Sequence, residues 1–122
     1  MSDDLASEAL VRRYFDAFIT RRRDDFEAML AEGFTFTSPY DDAIDRATFF
    51  ERCWPNGDRF TAFQVERVVA RGDDAYITYS CTVQDGSSFR NTEHHVLRGG
   101  RLARVEVYFG ASYRDGKFVT KT

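Results

Sequence analysis

Apolar residues in the first half of the chain recur at the spacing of α-helices. Between residues 4 and 20, apolar side chains follow one another at intervals of three and four residues, which predicts an amphipathic helix. A second, shorter helix is expected to begin at residue 24 or 25 and to end at Gly33, because glycine suits the left-handed position after a helix. Asp45 is placed to cap a third helix over residues 46–54.

From residue 60 onwards, apolar and polar residues alternate with the period of β-strands. Strands are predicted over residues 60–70 and 75–84, and a hairpin over residues 89–110, after one early strand at residues 34–37. Residues 111–122 are expected to hold a short extra strand or to be loose. The helices come first in the chain and an antiparallel meander comes last. This order predicts the α+β class, with three N-terminal helices packed on a curved, mainly antiparallel sheet.

Length and composition fit a single domain of residues 1–122 and exclude one class of partner. Hydrophobic residues make up 43% of the chain and aromatic residues 16%, which is enough apolar bulk for a core and an internal cavity. The net charge of −3 lacks the basic excess that binds nucleic acids. The three arginines at residues 21–23 precede two aspartates, so we interpret them as a solvated helix end, with a phosphate-binding patch as the alternative.

Cysteine usage and hydropathy favour a cytoplasmic protein. Cys53 and Cys81 are not at the spacing of metal or redox motifs and are expected to be free thiols. The first residues are acidic and polar, unlike a signal peptide, and no apolar run approaches the ~20 residues of a membrane span. We therefore expect a cytoplasmic location and no membrane partner.

The final hairpin carries ionisable residues on one predicted face. If Gly99 and Gly100 form a two-residue turn, residues equally distant from the turn face each other, so that Glu93 faces Glu106. The polar side chains sharing that face would be Asn91, Glu93, His95, Arg104, Glu106 and Tyr108. The opposite face would carry the apolar residues Val96, Val105, Val107 and Phe109.

Facing carboxylates suggest acid–base chemistry. They repel each other unless they share a proton or enclose a cation such as Arg104, so a pocket that shields them from water would favour proton transfer. The alternative is an exposed sheet face on which these groups simply contact water. A one-residue slip in the hairpin would change every one of these partners.

The order of these elements resembles the nuclear transport factor 2-like superfamily, over nearly the whole chain. The segments that carry the resemblance are the helix LVRRYFDAFITRRRDDFEAML, the strand and break FTFTSPYDD, and the hairpin RGGRLARVEVYFG. The superfamily includes ketosteroid isomerase, SnoaL-type polyketide cyclases, scytalone dehydratase and limonene epoxide hydrolase. More narrowly, SPYDDAIDRATFFERCWPNG with FRNTE and VEVYFG is similar to a bacterial subgroup of SnoaL-like proteins.

The resemblance implies a cone-shaped fold around a deep pocket. It also implies a homodimer through the convex sheet face, which the hairpin pattern would assign to Val96, Val105, Val107 and Phe109. Tyr14 matches the oxyanion-donating tyrosine of ketosteroid isomerase. Ser38 stands where that enzyme has its proton-shuttling aspartate, which argues against steroid isomerisation. Gly110 stands where SnoaL-type cyclases and limonene epoxide hydrolase have an aspartate, so that residue is also missing.

Two functions remain open at this level. The first is a cofactor-free acid–base enzyme acting on a small, partly apolar substrate as an isomerase, cyclase, dehydratase or hydrolase. Its predicted catalytic residues are Glu93, Glu106, His95 and Tyr14, and its predicted substrate-binding residues are Tyr108, Asn91, Arg104, Asp41, Trp54, Phe18 and Ser80. No cofactor is expected, and a metal at His95, Glu93 and Glu106 is the less favoured alternative because enzymes of this fold mostly need none. The second function is a non-catalytic ligand-binding or dimeric assembly module.

Overall fold

The computed structural model describes residues 2–119 and confirms the predicted fold class, with N-terminal helices packed on a curved, mostly antiparallel sheet. The helices are α1 (Ser2–Ile19), α2 (Arg23–Ala28) and α3 (Arg46–Arg52), followed by a 3₁₀ helix (Trp54–Arg59). The strands are β1 (Leu30–Ser38), β2 (Asp41–Ile44), β3 (Phe60–Arg71), β4 (Asp74–Val83), β5 (Ser88–Arg98), β6 (Arg101–Arg114) and β7 (Lys117–Val119).

The sheet has the strand order β2-β1-β6-β5-β4-β3, and β7 pairs with the end of β6. Among the strand pairs of residues 2–119, only β1 and β6 are parallel. The expected extra strand in the tail is therefore present as β7, and residues 120–122 lie outside the described part. We call the helix-covered side of the sheet the inner face and the opposite side the outer face.

The second helix and the first strand differ from the prediction. α2 ends at Ala28, and β1 begins at Leu30, so the predicted stop at Gly33 is wrong. Gly33 instead lies inside β1 with a φ of 81°, where the register against β6 is irregular. A glycine in the left-handed region marks a β-bulge as readily as a helix end, and the local sequence does not distinguish them. The short strand β2 was not predicted.

Aromatic packing holds the helices on the inner face. α1 buries Leu10, Val11, Tyr14 and Phe15 against the sheet, as its apolar spacing predicted. Phe26 of α2 is fully buried and stacks on Phe49 of α3 with ring centroids 5.6 Å apart. The predicted cap is confirmed, since Asp45 accepts a 2.9 Å hydrogen bond from the Thr48 amide. These contacts fix the helical cover over the middle of the sheet.

The predicted register of the final hairpin is wrong beyond its first two pairs. Gly99 and Gly100 form the expected turn, and Leu97 faces Leu102 as predicted. The register then shifts by one residue at Ala103, so that Glu93 faces Val107 and not Glu106. Leu102 and Ala103 are consecutive and both buried, which is the mark of a β-bulge. One extra residue moves the rest of β6 to the other face relative to β5.

Candidate functional site

A row of hydrogen-bonded polar side chains lies buried on the inner face, on the neighbouring strands β4 and β5. Tyr79 Oη donates to Glu93 Oε2 at 2.8 Å, and His95 Nε2 lies 2.9 Å from Glu93 Oε1. Asn91 Nδ2 donates to Tyr79 Oη at 3.2 Å. All four residues are buried, with relative exposures between 0% for His95 and 7% for Asn91. We call these four residues the inner row.

The hydrogen bond from the main chain to Asn91 determines which group donates and which accepts along the inner row. The Gly110 amide donates to Asn91 Oδ1 at 3.1 Å, and a backbone N–H can only donate. The Asn91 amide group therefore donates to Tyr79, and the Tyr79 hydroxyl in turn donates to Glu93. The row converges on Glu93, whose two oxygens receive one partner each.

His95 has one satisfied and one unsatisfied ring nitrogen. Nε2 faces the Glu93 carboxylate, whereas the buried Nδ1 has no hydrogen-bond partner among the described residues. The Tyr14 and Phe15 rings of α1 lie 5.0 and 5.6 Å from the imidazole. With Nε2–H donating to Glu93, the neutral ring carries a free lone pair at Nδ1. A buried, unpartnered basic atom of this kind is expected to receive a ligand or a water molecule.

The phenols around Glu93 are held in their protonated form. Burial, and secondly the negative charge of Glu93, raise the pKa of Tyr14 well above the usual 10.0. The pKa of Tyr79 is raised in the same way, by burial first and by Glu93 second. The predicted site residues Glu93, His95, Asn91 and Tyr14 are thus brought together in the interior. Tyr79 was not predicted, because the residue of this strand assigned to the pocket was Ser80, which alternation places on the opposite face from Tyr79.

The other predicted members of the hairpin site lie on the outer face. Glu106 Oε1 is 3.1 Å from His94 Nδ1, and the second nitrogen of His94 is 2.9 Å from Asp74 Oδ1. Arg104 Nε is 4.0 Å from Glu106 Oε2, on the opposite side of the sheet from Glu93, so Arg104 is not enclosed between the two glutamates. Tyr108 is 58% exposed. The predicted Glu93–Glu106 pair is therefore wrong, because the bulge at Ala103 places the two carboxylates on opposite faces of the sheet.

The bulge also changes the face predicted for the dimer. Val105 and Val107 have relative exposures of 0% and 7% and belong to the core, so they cannot present a convex surface. Val96 is half-buried on the outer face, where it pairs with Arg104. Phe109 is 41% exposed and lies against Tyr40, with ring centroids 5.5 Å apart. The outer face is consequently much more polar than predicted.

A second buried carboxylate, Asp41, lies at the β1–β2 turn. Its side chain is 6% exposed, and Arg52 binds its Oδ1 at 2.6 and 2.7 Å. Its Oδ2 accepts hydrogen bonds from Ser38 Oγ at 3.1 Å and from Cys53 Sγ at 3.7 Å. Burial, and then the Asp41 charge, raise the pKa of Cys53 to about 12, so this thiol is unreactive at neutral pH. Asp41 is thus fully paired within the protein.

The remaining predicted binding residues lie elsewhere. Trp54 is buried, packs edge-on against Phe18 at 5.3 Å, and has the Arg21 guanidinium 4.1 Å from its ring centroid. Both aromatic residues are therefore part of the core packing. Ser80 pairs with Arg90 on the outer face, which corrects its predicted place in the pocket.

Two surface cavities formed by described residues are not lined by Glu93 or His95. One, of about 460 Å³, lies at the Gly110 end of the sheet and is lined by Ser80, Tyr108 and Phe109 among others. The other, of about 800 Å³, lies between α2 and β1 and is bordered by Glu27, Glu32, Arg46 and Arg101. Within residues 2–119, no group of three His, Cys, Asp or Glu side chains is arranged to hold a metal ion. No helix of that same range is long and apolar enough to cross a bilayer.

A family model for the SnoaL-like domain matches residues 11–119, and the chain belongs to that family. Among curated proteins, none matches the sequence at a significant level.

Several solved structures share the fold at low sequence identity. A proposed ketosteroid isomerase from Kribbella flavida is 24% identical, with a TM-score of 0.76 over 92% of this chain and 83% of that one. An NTF2-like protein of unknown function from Mesorhizobium loti is 20% identical, with a TM-score of 0.75 over 87% and 92%. AclR, a proposed hydroxylase from Streptomyces galilaeus, is 13% identical, with a TM-score of 0.73 over 88% and 90%. Such likenesses establish the NTF2-like cone and leave the reaction open.

Proposed function

We propose that this SnoaL-like protein binds a small, partly apolar molecule inside the cone and transfers a proton to or from it without a cofactor. The observation that carries the proposal is the buried Glu93–His95 hydrogen bond with His95 Nδ1 left unpartnered. Buried acid–base pairs of this kind are a frequent mark of functional sites. His95 would exchange the proton at Nδ1, and Glu93 would hold the ring in place.

The geometry gives each group a separate task. Glu93 accepts from His95 Nε2 and so directs the basic lone pair to Nδ1. When Nδ1 takes a proton, the carboxylate 2.9 Å away stabilises the imidazolium that forms. General acid–base catalysis of this type contributes about 10²–10⁴-fold to a rate. The Tyr14 phenol, kept protonated by its raised pKa, is available to donate to a ligand oxygen.

This chain lacks an aspartate at the two positions where relatives carry one, which supports a different place for its proton-transfer groups. Ser38 stands at the first and donates to Asp41. Gly110 stands at the second, where an added Cβ would lie 1.9 Å from the Arg90 carbonyl oxygen. A side chain at 110 is therefore excluded by the main chain of β5. The proton-transfer groups of this chain would lie deeper in the cone, at positions 93 and 95 of β5.

Protein-detected NMR with a library of small aromatic and alicyclic carbonyl and hydroxyl compounds tests this proposal. We expect hits to shift the amide signals of Tyr79, Asn91 and Glu93, and some hits to exchange C–H protons with deuterium in D₂O. Replacing the base, His95→Asn, or its anchor, Glu93→Gln, should abolish that exchange while the fold persists. The matched outer-face variant Glu106→Gln should leave it unchanged. Hits confined to outer-face residues, or exchange that survives His95→Asn, would reject the proposal.

A non-catalytic module is the second candidate function. It is favoured by the complete burial of His95 beneath Tyr14 and Phe15, and by exposed aromatic residues on the outer face such as Tyr76 and Tyr108. In this case the chain would act as a ligand sensor or as a homodimer through the outer face, with Val96 the one predicted interface residue still placed there. Sedimentation equilibrium of the wild type and of Tyr108→Arg checks the dimer. Weakened self-association of the variant would support this function, and a monomeric wild type would exclude the dimer.

A further inference from the structure

A second bulge in β6 shapes the cavity at the Gly110 end of the sheet. The register of β5 against β6 shifts between Phe89 and Asn91, so that β6 has two residues, Gly110 and Ala111, where β5 has only Arg90. Gly110 has no side chain to fill this space, and an added Cβ would lie 1.9 Å from the Arg90 carbonyl oxygen. Both residues of the bulge line the cavity, whose volume of about 460 Å³ is typical of small-molecule sites.

The same bulge brings two tyrosines of β6 to one face of the sheet. Tyr108 and Tyr113 are separated by an odd number of positions, so in a regular strand they would lie on opposite faces. The extra residue between them places both on the outer face, where they pair with Thr92 and Ser88. Both tyrosines line the cavity and are 58% and 45% exposed. Each offers a flat apolar ring with a polar hydroxyl at its end.

The polar groups around these rings are hydroxyls and one neutralised arginine. Ser80, Ser88 and Thr92 are half-buried in the lining, and a hydroxyl can both donate and accept hydrogen bonds. Arg90 Nε donates to Glu66 Oε1 at 2.9 Å. This bond lowers the pKa of the Glu66 carboxyl, so the carboxylate is ionised at neutral pH and balances the guanidinium. The cavity therefore combines many hydrogen-bonding groups with a balanced pair of charges.

We propose that this cavity binds a neutral sugar, whose ring packs on the tyrosine rings while its hydroxyls bond to the serine, threonine and arginine side chains. A sugar ring has C–H groups on its faces and hydroxyls around its rim, so it matches both parts of the lining. An anion would meet the Glu66 carboxylate beside Arg90. A purely apolar compound would cover the half-buried hydroxyls without replacing their hydrogen bonds to water. The proposal goes beyond the proposed function, because it uses no side chain of the inner row.

NMR titration of the ¹⁵N-labelled protein tests the sugar site. The probes are the methyl glycosides of glucose, galactose, mannose and N-acetylglucosamine. Glycerol provides hydroxyls without a ring face, and benzyl alcohol provides a ring with a single hydroxyl. We expect at least one glycoside to shift the amide signals of Ser80, Arg90, Thr92 and Tyr108. That glycoside should bind about tenfold more tightly than glycerol or benzyl alcohol.

Variants of the tyrosines show whether the ring face carries the binding. Tyr108→Ala should weaken binding of the glycoside about tenfold, whereas Tyr108→Phe keeps the ring and should stay within about twofold of the wild type. The matched control is Tyr76→Ala, at a residue that is 50% exposed on the outer face and does not line the cavity. It should bind the glycoside as the wild type does. Should Tyr108→Ala fail to fold, Tyr113→Ala provides the same comparison.

Three outcomes would overturn the proposal. The first is that no glycoside shifts the cavity signals, which is also expected if a second copy of the chain covers the outer face. The second is tighter binding of benzyl alcohol than of any glycoside. The third is unchanged binding after removal of a cavity tyrosine ring. None of these outcomes affects the proposed proton transfer, since that proposal is tested through the separate signals of Tyr79 and Glu93.

Discussion

His94 and His95 are neighbours on β5, and each lies within hydrogen-bond distance of a glutamate, yet the two pairs differ in almost every other respect. On the inner face, His95 and Glu93 are 2.9 Å apart with side-chain exposures of 0% and 8%. On the outer face, His94 and Glu106 are 3.1 Å apart with exposures of 14% and 31%. The outer histidine also meets Asp74, so both of its nitrogens have partners.

The comparison shows that environment, and not residue type, separates a candidate reactive site from a surface ion pair. The outer pair gains little from its charges, since water and the flanking carboxylate and arginine already solvate and screen them. The inner pair lies in a low-dielectric interior, where each unpaired atom is costly and each added charge has a large effect. Three experiments test this difference.

The largest expected effect comes from truncating the two glutamates in parallel. Glu93→Ala should lower the free energy of unfolding by about 2–4 kcal/mol, because Tyr79 Oη and His95 Nε2 lose their acceptor and a cavity remains. Glu106→Ala should cost about 1 kcal/mol or less, as is usual for an exposed pair. Urea denaturation of both variants measures the difference. Equal losses would show that the inner pair has no special role in the core.

A smaller effect is expected where the inner row is anchored to the main chain. Gly110→Ala should cost about 1–3 kcal/mol, because its Cβ would lie 1.9 Å from the Arg90 carbonyl oxygen and would move the amide that binds Asn91. The exposed neighbour Ala111→Ser should change stability by about 0.5 kcal/mol or less. Denaturant unfolding compares the two. A Gly110→Ala protein as stable as the wild type would contradict the close approach of β5 and β6 at this point.

The smallest expected effect is on the loss of stability at alkaline pH. A pKa raised by folding contributes stability that is complete below the unfolded value, about 10 for tyrosine, and is lost as the pH rises towards the folded value. Tyr79→Phe removes one such group, so between pH 9 and 11 this variant should lose about 1 kcal/mol less stability than the wild type. Tyr76→Phe, at a residue that is 50% exposed on the outer face, should behave like the wild type. Urea unfolding at several pH values provides the measurement, and parallel losses in all three proteins would contradict the prediction.

Much of the fold could be predicted because its signals are local. The helical spacing over α1, the Asp45 cap and the Gly99–Gly100 turn each depend on residues close together in the chain, and all three are present in the structure. That Asn91, Glu93 and His95 share one face of the sheet also follows from alternation along β5 alone, whereas the burial of that face was decided by the packing of the helices. The sequence therefore determined the α+β class and half of the candidate site.

The other half was decided by tertiary structure. The bulge at Ala103 exchanges the faces of Glu106 and Val107, and its one local sign is the pair of adjacent apolar residues at 102 and 103. The place of Tyr79 beside Glu93 depends on the register of β4 against β5, in which Tyr79 faces Asn91 and lies against Phe15 of α1. A shift of one residue leaves the alternation on either side of the bulge intact but moves every later side chain of that strand to the opposite face. Alternation along a strand determines which of its own residues share a face. Only the packed sheet decided which residues of the neighbouring strands lie on that same face.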